Sequence, residues 1–398
     1  MLRKVFGGIL LVAGTSVGAA VLALPVNTAH MGIGFASATF ILCWVFMTLG
    51  ALYLLEANLK AGVGANIISI AKETTGPLGQ AVAWIAYLCL LYSLTSAYLT
   101  GGSNWIEAVA ANMGHELTFN FQLFIMTFIA AGCIYLGTVF VDYLNRFLMI
   151  GLIGTYGFLA ILATPHVDLG LLDQARHSTD LMSIPLIITA FGFAIIVPSL
   201  TLYLNGDSKR LVKIILIGSF VPLFMYILWE VLIFGLIPYE GSFGLKSMHL
   251  RDKPAADLSL ALQTILQHRS IVQAANYFAI FALVTSLLGV TLSLFDFLAD
   301  GFNISKRGWQ RVGLILLTFA PPFLIVKYLP GGFTYTLKFA GIFVAILLGI
   351  LPAWMVWQGR YHKALKSDFE VPGGKLTLLL TTLFFTLVVS LQINATLF

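Results

Sequence analysis

Two short runs of the sequence are suited to hold a small zwitterion without any titrating group. The first is Gly14-Thr15-Ser16-Val17-Gly18-Ala19-Ala20, with Pro25 following; the second is Phe191-Gly192-Phe193-Ala194, with Pro198 following. Where a helix is interrupted, backbone N–H and C=O groups lose their intrahelical partners. The freed N–H groups carry partial positive charge and suit a carboxylate, and the freed C=O groups suit a cation. Glycine tolerates the dihedrals such a break needs and lets a ligand approach the backbone. Gly14 and Gly18 also fit the close packing of small residues between helices.

Hydroxyls and charges inside apolar segments form the second set. Thr285-Ser286 lies in a long apolar stretch. Such a pair either bonds back to the preceding turn of its own helix or completes a cation shell beside a break. Glu230 and Lys338 also lie inside apolar segments, at similar depth. They are read as an ion pair, the lining of an outer vestibule, or a route for protons, and Glu230 is the candidate for proton coupling. Lys338 is also long enough to snorkel to the interface. Glu56, Asp296 and Asp300 fall near inner helix ends. Tyr92 and Tyr98 lie in the third segment. Their spacing is not that of one helical face, so one of them, Tyr92, is assigned to the site.

The elements that must position these residues follow from composition. The 398 residues are 59% hydrophobic and 10% charged, with mean hydropathy +0.94. A soluble domain carries about 25% charged residues. A bilayer-spanning helix needs roughly 20 apolar residues. Eleven apolar segments are read, at roughly 6–27, 33–58, 79–103, 119–139, 146–165, 181–204, 211–237, 271–299, 312–329, 333–357 and 376–397. Backbone in lipid must pair internally, so each is expected to be a helix. The runs are continuous rather than alternating, which argues against a β-barrel. The first segment has signal-peptide features, Arg3, Lys4 and Ala-Leu-Pro at 23–25, but ten further segments favour an uncleaved helix.

The two interrupted segments are the first and sixth. Each opens a run of five, the pattern of an inverted-repeat transporter. The repeats are expected at about 6–165 and 181–357, with an extra helix at 376–397. With the N-terminus in the cytoplasm, fifteen lysines and arginines fall inside and six outside, as the positive-inside rule requires. Arg176 is one of the six, and four of the others share the 238–270 loop, where a short amphipathic helix is expected around 257–268. The C-terminus is then periplasmic. Scattered basic residues and a net charge of +5 give no footprint for nucleic acid. Cys43, Cys89 and Cys133 sit in apolar runs and read as packing.

On these stretches, the sequence resembles the bacterial aromatic amino acid permeases, the tyrosine- and tryptophan-specific group of the hydroxy/aromatic amino acid permease family. The resemblance runs end to end. It is carried by Ala13–Ala19 through Leu24-Pro25, Leu55-Glu56-Ala57-Asn58-Leu59, Asn145-Arg146-Phe147, Phe191-Gly192-Phe193 with Val197-Pro198-Ser199, Thr285–Val290, Leu294–Asp300 and Phe319-Ala320-Pro321-Pro322. It implies the leucine-transporter (LeuT) fold and proton-driven uptake of tyrosine, tryptophan or phenylalanine across the bacterial inner membrane. No His/Asp/Glu metal cluster and no nucleophile–base pair is visible in the sequence, so no cofactor and no enzyme activity are expected. The Gly18, Ala19 and Ala20 amides would hold the substrate carboxylate, with Thr15, Ser16 and the Phe191–Ala194 run beside it. The Gly14 and Val17 carbonyls with the Thr285 and Ser286 hydroxyls would form the fold's second cation site.

Three positions depart from the family pattern. Ala194, then Ile195 and Ile196, stand where the family places a histidine. Ala20 replaces a glycine. Leu152 stands where relatives can carry a lysine in place of a cation. The substrate is therefore open between aromatic and smaller neutral amino acids, and the coupling ion between H⁺ and Na⁺. A non-transporting receptor or channel is the rival of another class. A receptor would usually carry a soluble sensing domain, and a channel a continuous polar stripe; neither is visible. The oligomeric state is not specified.

Overall fold

The computed structural model describes residues 2–172, 181–266, 269–329 and 332–397. Every regular element among them is helical. In chain order these are α1 (Leu2–Ser16), α2 (Ala20–Thr28), α3 (Gly32–Ala61), α4 (Ile67–Thr75), α5 (Pro77–Asn112) and α6 (Phe119–Leu136). Then come α7 (Thr138–Ala163), α8 (Leu169–Leu172), α9 (Ile184–Ala190), α10 (Val197–Tyr203), α11 (Ser208–Leu236) and α12 (Leu245–Arg251). The last are α13 (Pro254–Leu266), α14 (Arg269–Gly301), α15 (Gly308–Tyr328), α16 (Phe333–Ala345), α17 (Leu351–Tyr361) and α18 (Gly374–Leu397). Arg176 lies outside the described residues, as do residues 267 and 268 of the expected loop helix.

Ten helical runs among the described residues are long and apolar enough to cross a membrane, against the eleven expected. The difference lies at the N-terminus, where Ala20–Ala61 is one helical run and Lys4–Ser16 a shorter apolar helix. The expected start of the fifth segment at 146 is corrected to Thr138. Gly137, at φ 110°, turns α6 directly into α7. A one-residue reversal at positive φ is open to glycine and leaves no polar loop to read. The loop after α11 holds two helices, α12 and α13, rather than one. Asp252, at φ 51°, ends α12 and accepts the Thr334 and Tyr335 N–H groups at the start of α16. Burial lifts the Asp257 carboxyl above its ordinary range, and Arg251 at 3.1 Å opposes that lift.

Two groups of helices frame the centre. Helices α1, α2, α3, α10 and α11 pack on one another, with α9 between them and α16; α5, α6, α14 and α15 form the second group, with α7 laid along α14. Helix α16 bridges them, touching α5 and α9. It continues through a π-helical turn at Ile346–Ile350 into α17, with Pro352 near its start. Proline has no N–H, so the Leu348 carbonyl loses its i+4 donor. Gly50 of α3 packs against that carbonyl so closely that a Cβ would lie 2.2 Å from its oxygen. Nearby, the fully buried Glu56 accepts from Lys60 at 2.9 Å, from the Arg360 guanidinium and from the Val371 N–H at 2.9 Å. This cluster fastens α3 to α17 and to the chain leading into α18.

Candidate functional site

Helix α1 ends at Ser16 and α2 begins at Ala20, so the first interruption falls at Val17-Gly18-Ala19. Val17 still donates to the Ala13 carbonyl, and Ala19 N–H donates to Ser286 Oγ at 2.9 Å. Among the described residues, the Gly18 and Ala20 N–H groups have no partner. They are the free donors that a carboxylate requires. A Cβ on Gly18 would meet Ser286 Oγ at 2.6 Å, so α14 approaches the bare backbone there. The second interruption is milder. Phe191 leaves the α-helical geometry, and Gly192–Ile196 forms a 3₁₀ turn before α10.

One side chain joins the two interruptions. The Tyr226 hydroxyl of α11 stands 2.7 Å from the Ser16 carbonyl and 2.9 Å from the Ala190 carbonyl, the last residues of α1 and α9. Its ring packs edge-on against Phe191, with centroids 5.1 Å apart. Tyr226 is absent from the expectations of the sequence. The only pointer is its spacing: it precedes Glu230 by four residues and so shares its helical face.

A cavity of about 440 Å³ lies beside the first interruption. Its size falls within the range of small-molecule sites, roughly 300–1,000 Å³. Gly14, Thr15, Ser16, Val17, Gly18 and Ala20 line one wall; Thr285, Ser286, Gly289 and Ser293 of α14 line another. Gly192, Thr189 and Ile195 contribute from the second interruption, and Asn145 and Met149 from α7. Gly192 faces open space, where a Cβ would find nothing within 4 Å. Leu10, Thr15 and Ser293 are exposed, so the cavity opens toward the end of the bundle where α1 begins, α7 begins and α14 ends. The opposite end is closed. There Ser183 Oγ donates to the Asn27 carbonyl at 2.7 Å, and Thr28 Oγ1 lies 2.7 Å from Glu230 Oε2. Thr28, Asn27, Ser183 and Glu230 are buried.

Several assigned residues fall elsewhere. Tyr98 lines the cavity, whereas the Tyr92 hydroxyl donates to the Leu317 carbonyl of α15 at 3.0 Å. Tyr92 is therefore replaced by Tyr98 as the aromatic wall from α5. Phe191, Phe193 and Ala194 are fully buried and do not line the cavity; Gly192 does. Ala19 is buried, with its N–H held by Ser286. Thr285 lines the cavity but its hydroxyl bonds back to the Phe281 carbonyl at 2.7 Å. Of the four assigned cation ligands, Ser286 is the one whose hydroxyl is bonded to the interrupted segment.

Nearly the whole chain, residues 1–392, matches the tryptophan/tyrosine permease family. It is 31% identical to the tyrosine-specific transport system 1 of Haemophilus influenzae, covering 98% of this chain and 96% of that protein. It is 30% identical to the tryptophan-specific transport protein of the same organism, over 99% and 96%. The low affinity tryptophan permease of Escherichia coli K12 is 30% identical, over 96% and 93%. Among solved structures, a nucleobase-cation-symport-1 family transporter, closed around bromovinylhydantoin, superposes with TM-score 0.61 at 13% identity, over 99% of this chain and 90% of that one. A manganese transporter from Eremococcus coleocola gives 0.63 at 12%, over 98% and 86%. At such identities these two show the fold alone, and it is the LeuT fold of membrane transporters. The chain is a multi-pass membrane protein of that fold and belongs to the tryptophan/tyrosine permease family, a family of transporters and not of enzymes.

Proposed function

We propose that the chain is a secondary active amino acid importer that couples uptake to an ion gradient and takes tyrosine, tryptophan or phenylalanine. The observation that carries this reading is the pair of unpartnered N–H groups at Gly18 and Ala20 beside the 440 Å³ cavity. The substrate carboxylate docks on those donors, and its amine turns to carbonyls of the interrupted segment. The aromatic ring occupies the space before Gly192, between Tyr98 and Ile195. The printed names of the relatives, tyrosine- and tryptophan-specific, support the substrate class.

The same reading puts the chain in the bacterial inner membrane with its N-terminus in the cytoplasm and its C-terminus in the periplasm. The lysine and arginine bias supports that orientation. The five-plus-five division, 6–165 and 181–357 with 376–397 added, gives the pieces that move. Helices α1, α2, α9 and α10 rock against α5, α6, α14 and α15, so that the site opens to one side at a time. With the N-terminus inside, the cavity beside the first interruption faces the cytoplasm.

Ile195 on the cavity wall favours a second reading, a carrier of smaller neutral amino acids. Uptake of a labelled amino acid panel into proteoliposomes, with Na⁺ and pH gradients imposed separately, separates the two. Accumulation of tryptophan or tyrosine in preference to alanine, serine and leucine supports the aromatic reading. The reverse order would replace it, and no uptake of any of them would end the importer reading.

A further inference from the structure

We propose that Glu230 carries the coupled proton, and that protonation of its carboxyl latches the outer half of the interrupted first helix onto α11. This rests on the importer reading and on the proton coupling that the family resemblance implies, and it names the group that takes the proton. Three observations lead to it. Glu230 is fully buried. Among the described residues it forms no ion pair, and its Oε1 has no hydrogen-bond partner. The contact at Oε2 offers a place for a proton. Thr28 Oγ1 lies 2.7 Å from Glu230 Oε2 and 2.8 Å from the Leu24 carbonyl. A threonine hydroxyl has one proton to give. The Leu24 carbonyl has none, so it can only accept. If Thr28 donates to Leu24, the short contact to Oε2 needs a proton on the carboxyl. The neutral acid gives each contact its own proton; the carboxylate must share the single threonine proton with the Leu24 carbonyl.

Among the described residues, no lysine or arginine forms an ion pair with Glu230. Helix α2 carries no ionisable residue. His30 follows it, with its ring 6.4 Å from that of His249 on α12. After α7 come His166, with Nδ1 at the Leu162 carbonyl, and Asp168, which accepts the Gly170 N–H. Tyr156 of α7 donates to the Met225 carbonyl. Lys4 of α1, Glu56 and Lys60 of α3, Asp142 and Arg146 of α7, and Lys209, Arg210 and Lys213 of α11 sit at the opposite end of the bundle. A carboxylate here would be buried without an ion-pair partner, which the membrane interior strongly disfavours.

The coupling follows from that cost. With α2 away from α11, Glu230 meets outside water and can ionise. Closing α2 over it requires a proton taken from the outside. No electrons move: one proton passes from outer water to the Glu230 carboxyl and later to water in the inner cavity. Tyr226, one turn nearer the cavity on the same face of α11, offers an intervening hydroxyl.

The test compares wild type, Glu230→Gln and Thr28→Val in proteoliposomes with labelled tryptophan and tyrosine. Two modes are measured: accumulation driven by a pH gradient, and gradient-free exchange. Glu230→Gln mimics the neutral acid, so exchange should persist while pH-driven accumulation falls at least tenfold. Thr28→Val removes the acceptor of the acid proton and should weaken accumulation more than exchange. Infrared difference spectra of purified wild type should show a neutral carboxyl C=O stretch that is missing in Glu230→Gln. Unchanged pH-driven accumulation in Glu230→Gln, or a wild type driven by Na⁺ and indifferent to pH, overturns the proposal. If Glu230→Gln fails to assemble, absence of any neutral carboxyl band in the wild type overturns it. Wild type that exchanges no amino acid contradicts the importer reading instead, and the infrared band still tests the neutral acid.

Discussion

Ser286 and Tyr226 hold the interrupted backbone from opposite sides, one accepting from Ala19 N–H and the other reaching the Ser16 and Ala190 carbonyls. Each makes a sharp test. Tyr226→Phe removes the hydroxyl that serves both carbonyls, and buried groups left unpaired cost about 1–3 kcal/mol. The expected result is a KM for uptake raised by about tenfold, with the protein still present in the membrane at normal level. Gly18→Ala places a methyl group 2.6 Å from Ser286 Oγ. Uptake should fall sharply, and Ser286→Gly added to Gly18→Ala should restore part of it. Equal loss in single and double variants would mean that the two residues do not share the site. At this scale the sequence was partly legible. Glycines flanked by proline announce an interruption by residue type. Tyr226 announces itself only by its four-residue spacing from Glu230, because a tyrosine in an apolar helix is common and its carbonyl partners are 36 and 210 residues away. Tyr98 and Tyr92 could not be told apart without the rotation of α5 about its own axis.

Among the elements, α3 is fixed at its C-terminal end by charge and along its length by close backbone approach. Breaking a buried ion pair by removing one partner costs about 3–5 kcal/mol. Glu56→Gln leaves Arg360 and Lys60 facing a neutral amide, so the melting temperature in detergent should drop markedly. Gly50→Ala sets a methyl group against the Leu348 carbonyl of the π-helical turn, and overpacking of this kind costs about 1–3 kcal/mol. The expected outcome is again a lower melting temperature, with weaker uptake if the turn is displaced. Both elements were legible as apolar runs, since length and hydropathy suffice for a membrane helix. Their internal geometry was not. The π-helical turn sets the Leu348 carbonyl against Gly50, far earlier in the chain, and the one-residue reversal at Gly137 leaves no polar stretch behind.

Taken as a whole, the bundle is sealed where α2 meets α11 and open where α1 begins, with the free amides of the first interruption between. The pairing of interruptions in the first and sixth segments made this architecture visible in the sequence, because both halves must break where a ligand meets backbone. Which end is open was invisible there, since the same residues serve both conformations. Gly192 faces the cavity with no neighbour in reach of a Cβ. Gly192→Val should therefore leave expression intact and reduce affinity for tryptophan more than for alanine-sized substrates, read from competition in uptake. The most direct measurement is thermal stabilisation of the purified protein by free amino acids, because a ligand stabilises the state it binds by RT ln(1 + [L]/Kd). Tryptophan or tyrosine should raise the melting temperature of the wild type in a concentration-dependent way, and Gly18→Val should abolish that rise while folding normally. A wild type unmoved by any aromatic amino acid, or a Gly18→Val variant stabilised as strongly as the wild type, would contradict a substrate site at the interrupted helix.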